Sequence, residues 1–272
     1  MDLNAKNIQL QYQGYLKTPL LWKGDAVFQL KQLELKKIDT TTFEGSILEN
    51  IRLGKRVERF VSNELKCYSD ITVLAENIQI QNGTTTVGEI DCILKQNHKP
   101  IHLEIIYKFY LYDERVGTTE LDHWIGPNRR DSLVSKLTKL KEKQLPLLYN
   151  SKTKPLLKKL NIQLEDIQQQ VCFKAQLFIP FKIKSTSFKL LNKECLQGFY
   201  IGFNELEMFT ANKFYIPTKA NWLQEIQTHT NWLTYHQFLL KVESILKKQS
   251  APLCWMKQPN GEVQKFFVVW WN

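Results

Sequence analysis

The chain has 272 residues, 43% of them apolar and 12% aromatic, enough for one large domain or two modest ones with real cores. Its formal charge is +10, no apolar run approaches the roughly 20 residues that span a bilayer, and the N-terminus MDLNAKNIQLQYQGYL lacks the basic-then-apolar pattern of a secretory signal. Cys67, Cys92, Cys172, Cys195 and Cys254 form neither a CxxC pair nor a zinc-finger spacing, so a disulfide framework and a structural zinc site are set aside and a cytoplasmic location without a membrane partner is expected.

Residues 1–45 mix apolar and polar positions, and NAKNIQLQYQGYLKTPLLWK is read as short helices leading into the fold. From about Ser46 to Tyr68, Val57, Phe60, Val61 and Leu65 recur at helical spacing and predict an amphipathic helix. The alternating stretch that follows carries Asn82-Gly83, a strong hairpin signal, and predicts strands near 76–81 and 85–94. KQNHKP turns the chain into a third strand near 101–111. After the polar segment YDERVGTTELDHWIGPNRRD comes a helix near 131–148, with Leu133, Leu137, Leu140 and Leu147 on one stripe and Lys136, Lys139 and Lys143 on another. A short helix fits SKTKPLLKKLNIQLEDIQQQ. The remainder is β-rich: VCFKAQLFIPFKI, GFYIGFNEL, KFYIPT, PLCWMK and KFFVVWW read as strands, and a helix near 234–248 places Phe238, Leu239, Val242, Ile245 and Leu246 inward. No Pro/Gly/Ser-rich linker separates the halves, so residues 1–150 are expected to form a core on which an α+β extension, 151–272, packs.

Charge is concentrated. Between Arg129 and Lys159 ten basic residues stand against Asp131 and Glu142, a balance of +8 that is either a solvated lysine face or a contact surface for phosphates.

Within GEIDCILKQNHKPIHLEIIYKFYLYD the strands are interrupted by Glu89, Asp91, Glu104 and Lys108. A charge inside a strand costs several kcal/mol unless it is paired, hydrogen-bonded or holding a metal. Alternation places Glu89 and Asp91 on one face of their strand, and Glu104 and Lys108 on one face of the next. Aligned, Asp91 and Glu104 make an oxygen site for a hard divalent ion with a lysine beside it, and Glu89 is read as a hydrogen-bonding neighbour; the competing reading is a buried ion pair. His98 and His102 flank this region, and a turn or strand-start role is the commoner one for such histidines.

Helix, hairpin with Asp, strand with Glu and Lys, then basic helix resembles the core of the PD-(D/E)XK nuclease superfamily. More narrowly, GEIDCIL, HLEIIYKFYL and DHWIGPNRRDSLVSKLTKLKEKQLPLL are similar to a bacterial domain family placed in that superfamily by remote similarity. The likeness implies a restriction-endonuclease-like α/β fold, a mixed β-sheet flanked by helices, over roughly 46–150. It implies Mg²⁺- or Mn²⁺-dependent phosphodiester hydrolysis, with Asp91 and Glu104 holding the metal, Lys108 as catalytic lysine, Glu58 as accessory acid and Gln144 as helper. Arg129, Arg130, Lys136, Lys139 and Lys143 would follow the backbone of a nucleic acid, with DNA ahead of RNA as the expected partner. The lysine stands four residues after Glu104 where the superfamily pattern has two, which leaves open a displaced catalytic group or a nucleic-acid-binding protein that has lost hydrolysis.

Overall fold

The computed structural model describes residues 3–36, 42–48, 50–183 and 188–271. Nine strands form one mixed sheet: β1 (Ile71–Asn82), β2 (Thr85–Gln96), β3 (Lys99–Tyr112), β4 (Trp124–Ile125), β5 (Gln168–Pro180), β6 (Leu196–Gly202), β7 (Lys213–Tyr215), β8 (Leu253–Lys257) and β9 (Val263–Val269). Their order is β1-β2-β3-β5-β6-β9-β8-β7, with the two-residue β4 added beside β3. The four central strands β3, β5, β6 and β9 run parallel, and antiparallel strands finish the sheet at both ends. The boundary expected near residue 150 falls in the connection between β3 and β5, which pair from Ile101–Gln168 to Leu111–Phe178, so one sheet runs through both halves.

Local sequence explains the turns. β1 and β2 are joined through Gly83 at φ +61°, and β2 and β3 through Asn97 and His98, both with positive φ, the backbone that twists a two-residue hairpin correctly. β5 is buried on both faces, as its near-continuous apolar run requires of a central parallel strand. One face carries Cys172 and Phe178 with β9 Phe267 under α1 (Leu3–Lys17) and α2 (Leu53–Leu65), where Tyr12, Tyr15, Val57, Phe60 and Val61 are buried. On the other, Phe173, Ala175 and Leu177 meet Trp22, Trp124 and the leucines of α3 (Leu133–Lys139). Further along that face α5 (Tyr235–Leu246) packs Phe238 and Val242 on Phe214 and Phe266.

Three expectations about elements are corrected. The N-terminal stretch gives one helix of 15 residues rather than several short ones. α2 starts at Leu53, well after Ser46, with residue 49 outside the described part. The predicted 131–148 helix is α-helical only through Lys139, then winds as a π turn over Leu140–Gln144 and a 3₁₀ turn over Leu145–Tyr149. Pro146 has no N–H to continue an α ladder, and the wider turn ends where Leu145 N–H donates to Leu140 O. Ser132 caps α3. α4 (Lys154–Lys159) covers part of the short helix expected after it. Among the described residues no helix is long and apolar enough to cross a membrane, and all five cysteines are free.

Candidate metal centre

The centre grows out of a gap at one edge of β3. β2 pairs with β3 only as far as Cys92–Leu103, and β4 joins it at Leu111. Between those points the Ile105 N–H is taken by Asp91 Oδ2 at 2.9 Å, a carboxylate standing where the next rung of the ladder would have offered a carbonyl. The divergence of β2 therefore turns Asp91 into the gap.

α2 closes over that gap and brings Glu58. Glu58, Glu89 and Asp91 each offer a carboxylate oxygen, and the three oxygens lie within 4.8 Å of one another, all half-buried. The Lys55 ammonium, one helical turn before Glu58, bonds to Glu58 Oε2 at 2.8 Å, to Asn77 Oδ1 at 2.9 Å and to Glu89. Burial, the Glu104 charge and Glu58 push the Asp91 carboxyl up to about 7, against only the Ile105 N–H and Lys55 in its favour. Glu58 is raised as well, burial again leading, with its bond to Lys55 opposing. Burial would lower Lys55, but its bonds to Glu58 and Glu89 outweigh that and hold it above the ordinary lysine value.

Behind the triad, Glu104 is fully buried. Its two oxygens are spoken for: Oε2 accepts from Gln144 Nε2 at 2.5 Å and Oε1 lies 3.1 Å from His102 Nε2. The tautomer follows from the next bond. Gln169 Nε2 lies 2.6 Å from Leu145 O, which fixes it as the amide's donor nitrogen, and 3.1 Å from His102 Nδ1, which must therefore accept; the proton is on Nε2 and donates to Glu104. On the other side Lys136 Nζ donates to Gln144 Oε1 at 2.7 Å. Burial lowers Lys136 to about 8, with the Glu104 charge opposing and the neighbouring Lys108 assisting. The chain Lys136–Gln144–Glu104–His102–Gln169 thus couples the helical segment 133–149 to β3 and β5 through buried polar contacts, each satisfied.

The structure brings together Asp91, Glu104, Glu58 and Gln144, four of the five residues assigned to catalysis. It separates the fifth. Lys108, four strand residues or about 13 Å along the backbone from Glu104, bonds to Asp131 Oδ2 at 2.6 Å. Glu104 lies behind, both its oxygens bonded to His102 and Gln144, and the carboxylate oxygens that come within 4.8 Å of one another are those of Glu58, Glu89 and Asp91. Of the five basic residues expected to face a nucleic acid, Arg129, Arg130, Lys139 and Lys143 are exposed. Lys136 points inward, and Arg129 is held by Asp113 Oδ2 at 2.7 Å with its guanidinium 4.7 Å from the Trp271 ring centroid. Sequence reasoning passed over Lys55 as a member of the centre, although Lys55-x-x-Glu58 on α2 and Glu89-x-Asp91 on β2 were the patterns that could have found it.

Chemically, the triad is an all-oxygen donor set of the type that hard divalent cations prefer. Four carboxylates converge on two lysines, an excess of negative charge that one divalent ion would cancel. A family model described as a domain of unknown function (DUF1853) matches residues 10–269, and the chain belongs to that family. No curated protein and no solved structure matches it.

Proposed function

We propose that this DUF1853 chain is a metal-dependent phosphodiesterase acting on nucleic acid, built on a restriction-endonuclease-like core of the PD-(D/E)XK kind. The observation that carries the proposal is the convergence of Glu58, Glu89 and Asp91 on one half-buried point, with Glu104 behind it and Lys136, a lysine of lowered basicity, linked to Glu104 through Gln144. The order of elements adds support: α2, the β1–β2 hairpin with Asp91, β3 with Glu104 and the basic segment after it surround one gap in the sheet.

Glu58, Glu89 and Asp91 would hold Mg²⁺ or Mn²⁺, which when bound supplies charge stabilisation for the phosphoryl oxygens and a more acidic water. The rest falls to side chains. Lys136, at about 8, can hold or release a proton near neutral pH and can act on the attacking water or the leaving oxygen. Gln144 fixes the Lys136 ammonium with its oxygen and Glu104 with its nitrogen, so the lysine is oriented by a buried, fully bonded support. His102 holds the far oxygen of Glu104. Arg130, Lys139 and Lys143 are exposed, and would follow a phosphate backbone without specifying sequence.

One observation favours the alternative, a nucleic-acid-binding protein without hydrolysis: Lys108 is tied to Asp131 and lies off the acidic centre. The two readings part in one assay. Purified protein is incubated with labelled single- and double-stranded DNA and RNA in Mg²⁺ or Mn²⁺, beside Asp91→Ala and Glu89→Ala. Metal-dependent cutting lost in both variants is expected; binding without cutting by the unaltered protein would leave the alternative.

A further inference from the structure

The same gap in β3 opens, beyond the acidic centre, into a cleft of about 770 Å³ whose walls include Arg52, Lys108, Phe109, Arg130, Lys219 and Trp222. Four cations face it against one acid, Asp131. Arg52, Arg130 and Lys219 are exposed, and among the described residues only Lys108 of the four is committed to an ion pair. Arg52 stands at the N-cap of the 13-residue α2 and its side chain makes no capping bond, so the first-turn amides of Leu53 and Gly54, which also border the cleft, add to its positive character. An added Cβ at Gly54 would meet nothing within 4 Å, which leaves this stretch of backbone open to close approach.

The aromatic wall has a specific geometry. Trp222 is half-buried, with Phe109 and Phe267 meeting it nearly at right angles, at 82° and 88°. Lys219 Nζ lies 5.8 Å from its ring centroid. No ring among the described residues lies parallel to Trp222, so the indole is braced from its sides with no stacking partner of its own. A planar group entering the cleft would find an aromatic surface, with guanidinium groups nearby.

The geometry points to this cleft as the seat of a nucleotide unit of an unpaired strand, its base on Trp222 and its phosphate among Arg52, Arg130 and Lys219. The inference rests on the phosphodiesterase reading and narrows it, making single-stranded nucleic acid the substrate. A duplex keeps its bases stacked on one another and cannot offer a face to an indole at the bottom of a cleft, whereas stacking on an aromatic side chain is the usual grip on a single strand. The cleft is bordered by the first turn of α2, the helix that carries Glu58 one turn further on, so a strand held here would run from Trp222 along α2 toward Glu58.

The test is strand binding in EDTA, where nothing is cut. Fluorescently labelled oligothymidylate is titrated with the unaltered full chain and with Arg52→Ala, Arg130→Ala, Lys219→Ala and Trp222→Ala, with the matching duplex and thymidine monophosphate as competitors. Trp222→Ala is expected to weaken binding about fivefold or more, and each exposed-cation variant to reduce the steepness of the salt dependence by about one. Duplex should compete poorly. The three surface variants touch no core, so they keep the inference testable even where Trp222→Ala fails to fold. Unchanged affinity and salt dependence in those variants, in a protein that cuts in Mg²⁺, overturns the cleft and leaves the hydrolytic reading standing. Cleft-dependent binding in a protein that cuts nothing retires hydrolysis and keeps the cleft. Competition by duplex equal to that of the single strand, or displacement by thymidine monophosphate at concentrations matching the oligonucleotide, overturns the single-strand assignment; the latter would identify a free nucleotide as the ligand.

Discussion

Asp91→Asn should make the metal-free protein more stable at pH 8 while abolishing its response to divalent ions. The folded carboxyl titrates at about 7 against an ordinary 3.8. A carboxyl raised in the folded state costs nothing below 3.8, where it is protonated folded or unfolded. Its cost accumulates as pH rises from 3.8 to 7 and is complete above that, on the order of 4 kcal/mol. The amide is uncharged, and its oxygen can still accept the Ile105 N–H. In EDTA at pH 8, a urea slope of about 3 kcal/mol/M translates this gain into a midpoint shift of about 1 M upward, and at pH 4 the shift should nearly vanish. Mn²⁺ at 100 times its dissociation constant closes most of that gap, because it adds about 2.7 kcal/mol to the unaltered chain alone. A variant less stable than the parent at pH 8 without metal, or stabilised by Mn²⁺ as much as the parent, would refute the reasoning.

Lys136→Met should lower cleavage by about 10²–10⁴-fold while leaving strand affinity in EDTA near that of the parent, read by single-turnover kinetics beside the binding titration. Asp113 is held down to about 2 by Arg115 and Arg129, whose bonds outweigh its burial. A depressed carboxyl stabilises the fold above 3.8 and loses that contribution as pH falls through about 2, so Asp113→Asn should cost about 2 kcal/mol at pH 7 and little at pH 2, read by denaturant unfolding. In the C-terminal core Phe238 is fully buried and stacked on Phe214 at 4.3 Å between centroids, and Phe238→Ala should cost about 3–5 kcal/mol by the same measurement.

The helical stripe Val57, Phe60, Val61 and Leu65, the Asn82-Gly83 hairpin and the apolar face of α5 were legible because each is written in a local period. What joins the halves was not. Parallel pairing of β3 with β5 joins residues as far apart in the chain as Ile101 and Gln168, and no period in either strand names its partner. The acids were legible by the same alternation that put Glu89 and Asp91 on one face, yet the choice between Glu89 and Glu104 turned on the point where β2 leaves β3, which is a property of two strands at once. Lys136 was read as a solvent-facing lysine because an ideal helix puts it with Lys139 and Lys143. The π turn that follows carries Gln144 to Glu104, and Lys136 then binds Gln144 from the same side. The Lys108 contact with Asp131 was not legible, because the two residues lie on separate elements 23 positions apart.

The measurement closest to the centre of the account is a crystal structure of the protein soaked in Mn²⁺, with anomalous data. The account predicts one peak within coordinating distance of Glu58, Glu89 and Asp91, with the Lys55 ammonium displaced from at least one of its carboxylates. A map without a peak there, with Lys55 still bridging Glu58 and Glu89, would contradict it.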